Sequence, residues 1–485
     1  MVFKLNIRNY IMFRIAAINE QGRFINLSEE NSNTSNTFSI ITGKNACGKS
    51  SLLGKIVNSY IFDGESNRIK LGDNSVSKPN KVIAVSTSRF DKFPTLRNAK
   101  NNSKFINTYH YLGFGGKHSS PSDILSDGFL SVIKGIMNSK SNSSRIGDVF
   151  KYLGFNQIIS VNFEIKVNLG YLHTKEYNNY VKKYMSSLEL NIGNINSIRD
   201  HYHFANWFDR TFIEDYLTRD SDIKNHFSIN IKGSKLEEER LKLLRHIENI
   251  NENFGGKNFN IKFDLYDRTS IDKADYDWLI YLMSRGAVKV KNINLTNINE
   301  KTAFSFNQAS SGQQCIITMM IGIAGAIDDN SLICIDEPEI SLHPQWQLDF
   351  IKLLQETFSH YSGCHFVIAT HSPQIVSGLE KNNGYVCSLE KNELHNSMAI
   401  SNKSADYQLA EVFNSPGFRN EYLLRVLISF LSSPSDYLKS HDGSLLEISK
   451  IIKLKDSISL SDPAHKLICL AESVISEGSD VLELK

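Results

Sequence analysis

The sequence lacks several features that would assign it to a simple class of protein. Its longest apolar stretch, residues 315–327, is shorter than the ~20 residues that a membrane-spanning helix needs. Its first residues also lack the continuous apolar run and the small-residue cleavage site of a signal peptide. These absences predict a cytoplasmic protein without a membrane segment.

Cysteine is scarce and charge is balanced. The six cysteines include no CxxC pair and no short regular spacing, which argues against a disulfide framework and against a zinc site. Lys and Arg number 54 against 52 Asp and Glu, and the net charge of +2 excludes a dedicated polycation but not a local basic patch. The 485 residues, 41% of them hydrophobic, are enough for two to three domains.

A glycine-rich loop follows a short apolar strand near the N-terminus. Residues 43–51 read GKNACGKSS and match GxxxxGK[ST], between a predicted strand and a predicted helix. Backbone N–H groups of such a loop bind phosphates, its lysine reaches the β- and γ-phosphates, and its hydroxyl ligates Mg²⁺. A plain glycine-rich turn is the alternative. The expected nucleotide-binding residues are Gly43, Asn45, Ala46, Cys47, Gly48, Lys49, Ser50 and Ser51, with Ser50 as a ligand of Mg²⁺.

A second buried strand ends in two adjacent acids. Residues 332–335 are apolar, and Asp336 and Glu337 follow directly. Ligand sites of open α/β sheets form at the carboxyl ends of the strands. We therefore expect Asp336 to hold Mg²⁺ and Glu337 to orient or deprotonate the attacking water. A strand that simply leaves the core through acidic residues is the alternative.

Two further polar segments adjoin buried elements. Residues 310–313, SSGQ, precede the apolar stretch at 315–327, and such a helix start forms either an anion site or an ordinary N-cap. Residues 370–373, THSP, close a strand predicted at 365–370, which puts His371 at the edge of a sheet. A lone histidine is more often structural than catalytic, so its role depends on its neighbours.

The order of these motifs resembles the ABC-type ATPases of the RecF/SMC branch, and more narrowly the single-chain OLD-like ATPases. Residues 336–344, DEPEISLHP, and 369–373, ATHSP, are close to the wording of that group, and 5–10, LNIRNY, is similar to its first strand. The resemblance implies a catalytic glutamate, a switch histidine, a signature motif that contacts ATP bound to a second subunit, and a D-loop. In this sequence the catalytic glutamate is Glu337 and the switch histidine is His371. The signature motif comprises Ser310, Ser311, Gly312 and Gln313, and the D-loop comprises Ser341, Leu342 and His343.

The same resemblance implies a fold and a division of the chain. We expect an α/β fold, with an ABC-type head built on a parallel or mixed P-loop sheet, a large α+β insertion and a helical C-terminal tail. The head is expected over 1–120 and 301–400, and the insertion, without a long coiled coil, over 121–300. The tail over 401–485 is a candidate partner-binding region. Two chains are expected to enclose two ATP molecules, as a homodimer or a larger even-numbered assembly.

Departures from the family pattern limit the expected activity. Ala46 stands where glycine is common, SSGQQ at 310–314 replaces the commoner SGGQ, and no Q-loop glutamine is recognisable after residues 82–85. We expect ATP and Mg²⁺ to bind and hydrolysis to be slow. No TOPRIM nuclease pattern follows His371, so any nuclease is expected to be a separate chain.

A narrower resemblance concerns residues 81–94 and 109–114. They are similar to ATPases encoded beside a small nuclease in bacterial anti-phage systems, the Septu type (PtuA) and its retron-associated relatives. This resemblance implies an ATPase that dimerises around ATP and controls a separate HNH-type effector nuclease. A retron reverse transcriptase with its RNA–DNA complex is a further expected partner.

Two alternatives stay open. Residues 89–117 interleave basic and aromatic side chains around one acid, Asp91, which favours a RecF-like repair ATPase that binds nucleic acid directly through this segment. Aromatic core residues with a solvated basic rim would give the same pattern. The nucleotide-binding subunit of a transporter is disfavoured by the large middle insertion and by the Leu-His-Pro wording at 342–344.

Overall fold

The chain forms two compact units. One comprises residues 1–117, 311–316 and 326–485, and the other comprises 118–310 and 317–325. The division predicted at residues 120, 300 and 400 stays a prediction. The computed structural model describes residues 12–29, 36–62, 68–72, 75–88, 90–94, 108–113, 121–138, 140–165, 246, 258–266, 273–284, 287–299, 301–340, 342–379, 384–400, 403–434, 437 and 444–482.

The described residues contain fourteen strands and twelve α-helices. The strands are β1 (Ile15–Glu20), β2 (Arg23–Asn26), β3 (Thr37–Thr42), β4 (Ile69–Leu71), β5 (Val82–Ser86), β6 (Tyr109–Gly113), β7 (Ile158–Ile165), β8 (Asn258–Asp264), β9 (Val288–Thr296), β10 (Ala303–Ser305), β11 (Leu332–Asp336), β12 (His365–Ala369), β13 (Gly384–Ser388) and β14 (Glu393–Asn396). The α-helices are α1 (Lys49–Ile61), α2 (Pro121–Asn138), α3 (Lys140–Tyr152), α4 (Lys273–Ser284), α5 (Ser311–Ala326), α6 (Pro344–Thr357), α7 (Pro373–Ser377), α8 (Ser397–Ile400), α9 (Ala405–Tyr407), α10 (Glu421–Ser432), α11 (Ser444–Ile452) and α12 (Pro463–Leu482).

A seven-stranded sheet lies in the first unit, in the order β14-β13-β3-β12-β11-β5-β6. Its neighbours pair in parallel except β14, which is antiparallel to β13. Strands β3, β5, β11, β12 and β13 are buried at every position, as expected for parallel strands covered on both faces. The predicted α/β class with a parallel or mixed sheet is confirmed.

A buried histidine connects this sheet to a smaller antiparallel sheet, β2-β1-β4. His365 Nδ1 accepts a hydrogen bond from the Ile15 N–H at 3.1 Å, and Nε2 lies 2.8 Å from Ser39 Oγ. Burial lowers the pKa of His365 to about 3. The ring is therefore neutral and serves as a fixed link between the sheets. The strand predicted at 5–10 lies outside the described residues.

Helix α1 packs on the seven-stranded sheet through an apolar face. Leu52, Leu53, Ile56 and Val57 share one buried cluster with residues of β3, β11 and β12. A Cβ at Gly54 would stand only 2.4 Å from the backbone oxygen of Lys92, so this turn of the helix requires glycine. The packing holds the N-terminus of α1 at the carboxyl edge of the sheet.

The second unit contains the antiparallel sheet β10-β9-β7-β8 and helices α2, α3 and α4. Along β7, buried Ile159, Val161, Phe163 and Ile165 alternate with less buried residues, as expected for a sheet with one covered face. The strands predicted at 158–169 and 259–265 are confirmed over 158–165 and 258–264. The helix predicted over 234–254 lies outside the described residues except at position 246.

Glycines allow α2 to approach the middle of α5 closely. A Cβ at Gly325 would stand 2.3 Å from the Val132 backbone nitrogen, and one at Gly128 would stand 3.3 Å from Gly322 Cα. The buried helix predicted at 315–327 is thus present, although it begins earlier, at Ser311. Of the residues 310–313 predicted to precede this helix, Ser310 does precede it, and 311–313 lie in its first turn.

The chain after residue 403 is mainly helical, as predicted. Helices α10, α11 and α12 bury a separate cluster that includes Leu423, Leu427, Phe430, Ile448 and Ile468. Of the helices that the structure describes, none combines the length and the apolar character that crossing a bilayer requires.

Candidate functional site

Adjacent parallel strands bring most of the predicted site residues to one edge. Strand β3 leads into the glycine-rich loop, β11 ends at Asp336 and β12 leads to His371, with β12 between the other two. The register pairs Asp336 with Ala369 on one side and with Ser86 on the other. The carboxyl ends of these strands are therefore level, and the residues that follow them converge.

The glycine-rich loop uses backbone conformations that favour glycine. Gly43 and Gly48 have φ angles of 154° and 99°, and a Cβ at Gly43 would stand 2.6 Å from Cys47 Sγ. Ala46 has φ of 63°, in the left-handed region that costs a non-glycine residue about 1–2 kcal/mol. The departure from glycine at Ala46 therefore adds strain, while the loop still leads into α1.

The ammonium group of Lys49 lies at the centre of this loop. Its Nζ donates to the carbonyl oxygens of Gly43 at 2.9 Å and Lys44 at 3.1 Å, and it lies 3.2 Å from His371 Nδ1. Burial lowers the pKa of Lys49, and negative neighbours that include Glu337 oppose this shift. Lys49 therefore joins the loop to the segment after β12.

Ser50 and Asp336 form a pair of hard oxygen ligands. Ser50 Oγ donates to Asp336 Oδ1 at 3.1 Å, and Asp336 is 1% exposed. Oδ2 is buried, and no described residue donates a hydrogen bond to it. Burial raises the pKa of Asp336 to about 7, opposed by the Ser50 hydrogen bond and reinforced by the charge of Glu337. A buried carboxylate oxygen without a donor, beside a hydroxyl, fits the oxygen ligands that Mg²⁺ takes.

Glu337 and His371 face each other across the edge. Glu337 Oε1 lies 3.6 Å from His371 Nε2. Because an ammonium group only donates, Nδ1 accepts from Lys49 and Nε2 carries the proton that faces the carboxylate. Burial lowers the pKa of His371, and the charge of Lys49 lowers it further. The imidazole thus lies between the loop lysine and the glutamate.

The backbone of Glu337 is held in an unusual conformation. Its φ is 49°, its N–H donates to the Ala369 carbonyl at 2.9 Å, and its own carbonyl accepts from Thr87 Oγ1 at 2.5 Å. Non-glycine residues in this region cluster at functional sites. No motif along the chain marks Thr87, whose contact with Glu337 spans 250 positions.

Two residues that the sequence did not mark connect the loops of the site. Glu339 accepts hydrogen bonds from Thr370 Oγ1 at 2.9 Å and from the His371 N–H at 2.6 Å. Gln347 accepts from Ser372 Oγ at 2.6 Å and donates to the Leu342 carbonyl at 3.0 Å. Only the position of Glu339 close to the acid pair could have drawn attention to it.

The predicted D-loop and signature residues lie beside helix starts. Ser341 lies outside the described residues, Leu342 is buried, and exposed His343 caps α6 by accepting from the Gln345 N–H at 3.4 Å. Ser310 and Ser311 are exposed at the start of α5, with Gly312 and Gln313 partly buried in its first turn. The contacts around Lys49 and Asp336 described above do not involve these signature residues.

The basic and aromatic segment 89–117 is described only at 90–94 and 108–113. Phe93, Tyr109 and Tyr111 are buried in the core of the first unit, so these rings are not available to stack on bases. Tyr111 donates its hydroxyl hydrogen to Asp91 Oδ2 at 2.7 Å, and Phe90 is 85% exposed. Nucleic acid binding through this segment stays a prediction.

A family model described as "AAA domain, putative AbiEii toxin, Type IV TA system" matches residues 38–377, more than half of the chain. The chain belongs to this AAA-domain family. The match begins in β3 and ends with α7, so it contains the glycine-rich loop, both acids and His371. The AAA domain thus includes every residue of the cluster at the sheet edge.

Two curated relatives are similar to shorter parts of the chain. "Retron Ec83 probable ATPase" of Escherichia coli is 28% identical over 109 residues, 20% of either chain. "Retron Vc95 probable ATPase" of Vibrio cholerae serotype O1 biovar El Tor is 24% identical over 100 residues, 18% of this chain and 19% of the relative. The similarity therefore spans about a fifth of the length of these relatives.

Proposed function

We propose that the protein is an ATPase of a bacterial anti-phage system of the retron type. The observation that carries this proposal is the cluster at the sheet edge, where Lys49, the Ser50–Asp336 pair and the Glu337–His371 pair converge. The similarity to two ATPases named for retrons supports the biological setting. The Septu-type resemblance of residues 81–94 belongs to the same proposal.

The cluster contains a group for each part of ATP hydrolysis. The N–H groups of the loop and the ammonium of Lys49 bind the phosphates, which replace the loop carbonyls as partners of Nζ. Ser50 and Asp336 would hold Mg²⁺, which supplies positive charge to the phosphate oxygens. Glu337 orients a water molecule and accepts its proton as the water oxygen bonds to the γ-phosphorus and ADP leaves.

His371 is suited to report the state of the γ-phosphate. Its Nε2–H faces Glu337 and its Nδ1 accepts from Lys49, so both groups that act on the γ-phosphate contact one ring. We expect turnover to be slow, because Lys49 must leave two carbonyl partners and because Ala46 strains the loop. A slow ATPase suits a switch better than a metabolic enzyme.

The proposal includes an assembly of two chains around ATP. Exposed Ser310 and Ser311 at the start of α5 are accessible to a second molecule, as a signature motif acting in trans requires. We expect the chains to assemble as a homodimer or as a larger even-numbered oligomer. This assembly controls a separate HNH-type nuclease. A retron reverse transcriptase with its RNA–DNA complex is the second proposed partner. Helices α10 to α12 are the proposed surface for binding a partner protein.

The RecF-like alternative has less support. Its stacking surface would need aromatic side chains in 89–117, and Phe93, Tyr109 and Tyr111 are buried. Among the aromatic residues that the structure describes in this segment, exposed Phe90 is the candidate for stacking on a base, together with the basic residues of 89–117. We therefore place the defence ATPase first.

The experiment is a pull-down of the tagged protein expressed with its neighbouring genes, in wild-type, Glu337→Gln and Glu356→Gln forms with ATP and Mg²⁺. Glu356 is an exposed acid on α6 and serves as the matched control. We expect Glu337→Gln to accumulate the ATP-bound dimer, measured by light scattering, and to change the recovery of a small nuclease or a reverse transcriptase complex. Recovery of only DNA and repair factors would contradict the defence assignment.

A further inference from the structure

The carboxylate of Glu339 binds two adjacent residues of the segment 370–373, which carries the switch histidine. One oxygen accepts from the Thr370 hydroxyl at 2.9 Å and the other accepts from the His371 N–H at 2.6 Å. These bonds cross from the loop after β11 to the loop after β12. Glu339 therefore connects the segment that carries Glu337 to the segment that carries His371.

The hydroxyl of Thr370 continues this connection. Its oxygen accepts from the Ser372 N–H at 3.0 Å, while the Ser372 hydroxyl accepts from the Ile375 N–H at 3.3 Å at the start of α7. Thr370 and Ser372 are both buried. Hydrogen bonds to an ionised acceptor are about twice as strong as neutral ones, so Glu339 is the strongest anchor in this short series.

We propose that Glu339 is the positioning residue of His371: its carboxylate fixes the backbone of the switch segment so that the imidazole lies between Lys49 and Glu337. The inference rests on the proposed ATPase function. Glu339 makes no hydrogen bond to the reacting groups, and its charge acts on Lys49 and Asp336 only at a distance. Its two hydrogen bonds to the switch segment therefore affect hydrolysis through the ring of His371, and Glu339→Gln removes the charge while it keeps both side-chain positions. Loss of the anchor frees the His371 backbone and lets the ring leave its position 3.6 Å from Glu337.

Replacing Glu339 separates position from charge. In Glu339→Gln the amide oxygen still accepts from the His371 N–H, and the amide nitrogen donates to the Thr370 oxygen, whose second lone pair keeps the Ser372 N–H. Both connections to the segment remain, in weaker neutral form and without the charge. Glu339→Ala removes both hydrogen bonds. A positioning role predicts that glutamine preserves activity and that alanine does not.

The test measures steady-state ATP hydrolysis for wild type, Glu339→Ala, Glu339→Gln, His371→Ala and the double variant Glu339→Ala/His371→Ala. We expect Glu339→Ala to lower kcat at least tenfold with KM for ATP changed less than threefold. Glu339→Gln should stay within about threefold of wild type. The double variant should match His371→Ala within about twofold, because residues that act as one unit are not additive.

Two outcomes would overturn the inference. One is a double variant that loses a further tenfold beyond His371→Ala, and the other is a Glu339→Gln variant as inactive as Glu339→Ala. Should Glu339→Ala unfold, Thr370→Val removes at nearly constant volume the hydroxyl that donates to Glu339 and accepts from the Ser372 N–H. It should lower kcat two- to fivefold in the wild-type background and not at all in His371→Ala, and equal losses in both backgrounds would overturn the inference.

Failure of the ATPase proposal itself gives a different result. In that case wild type releases no phosphate above the level of Lys49→Ala, whatever residue stands at position 339. Wild-type hydrolysis above the Lys49→Ala level, together with a slower but measurable rate for His371→Ala, establishes the reaction independently of Glu339. The two proposals therefore fail in distinguishable ways.

Discussion

The two larger sheets of the molecule place their polar groups differently. In the seven-stranded sheet, strands such as β11 and β12 are buried at every position, and charged groups follow only where the strands end. In the four-stranded sheet of the second unit, polar side chains lie along one face and bind one another. Asn292 Nδ2, for example, donates to Asn294 Oδ1 at 2.7 Å and to Ser305 Oγ at 3.0 Å.

This difference separates a binding edge from a structural face. The amides of the four-stranded sheet satisfy one another, and substituting one should affect only local stability. At the edge of the parallel sheet, Asp336 Oδ2 is buried and receives no hydrogen bond from the described residues. A buried oxygen without a donor is costly, and a cation bound beside Ser50 would supply the partner that Asp336 Oδ2 lacks among the described residues.

The largest expected effect comes from the loop lysine. Lys49→Ala should lower the rate of phosphate release at least 100-fold, because the ammonium is the charged group at the centre of the glycine-rich loop. The matched control is Asn292→Ala on the structural face, which should stay within twofold of wild type. Equal rates of phosphate release for Lys49→Ala and wild type would show that the residues at this edge of the sheet do not take part in ATP hydrolysis.

The second effect is the pH-dependent stability of Asp336→Asn. The folded carboxyl has a raised pKa of about 7, so the unfolded chain loses this proton first and wild type loses stability as the pH rises from about 4 to 7. Asparagine does not ionise, so the variant avoids the free-energy cost of a buried charge at this position. That cost is a few kcal/mol, at about 1.4 kcal/mol per pKa unit.

Thermal unfolding at pH 5 and pH 8 measures this difference. We expect Asp336→Asn to be more stable than wild type at both pH values, with a clearly larger gain at pH 8 than at pH 5. Mg²⁺ with ATP should stabilise wild type and have a smaller effect on the variant. A variant less stable than wild type at both pH values would contradict the account.

The third effect compares two close backbone contacts, one in each unit. Gly54→Ala brings a Cβ to within 2.4 Å of the Lys92 oxygen, and Gly325→Ala brings one to within 2.3 Å of the Val132 nitrogen. Each should destabilise the protein by about 1–3 kcal/mol. Only Gly54→Ala, on the helix that begins at the glycine-rich loop, should weaken binding of a fluorescent ATP analogue. Equal affinity losses in both variants would show that the comparison of the two units is wrong.

The smallest effect belongs to Asn292→Ala itself. It removes hydrogen bonds at a partly buried position and should lower the free energy of unfolding by about 1 kcal/mol, measured by urea denaturation. A loss of more than about 3 kcal/mol would mean that these amides contribute more to stability than hydrogen bonds on a solvated face of the sheet do.

The sequence predicted the local parts of the site but not the contacts between them. The glycine-rich loop and the acid pair at 336–337 each carry a continuous pattern next to a buried strand, and the structure brings them together. Glu339, Thr87 and Gln347 were missed because their partners are 25 to 250 positions away, and spacing along the chain carries no information about such pairs.

The aromatic residues after β5 show the opposite problem. A mixture of basic and aromatic residues at 89–117 is equally compatible with a surface on which nucleic acid bases stack and with a hydrophobic core that has a basic rim. Phe93 and Tyr111 pack edge to face at 6.5 Å inside the first unit, in the buried cluster that also contains residues of α1, and the pairing of β6 with β5 places Tyr111 there. Burial of these rings depends on strand order, which the sequence does not contain.

The most direct test of the central claim measures ATP binding and phosphate release on the same preparations of wild type and Glu337→Gln. We predict that Glu337→Gln binds ATP within about threefold of wild type and releases phosphate at least 100-fold more slowly in a single turnover. The glutamine keeps the size of the side chain and removes the proton acceptor. Phosphate release by Glu337→Gln at the wild-type rate would contradict the assignment of the sheet edge as a site of ATP hydrolysis.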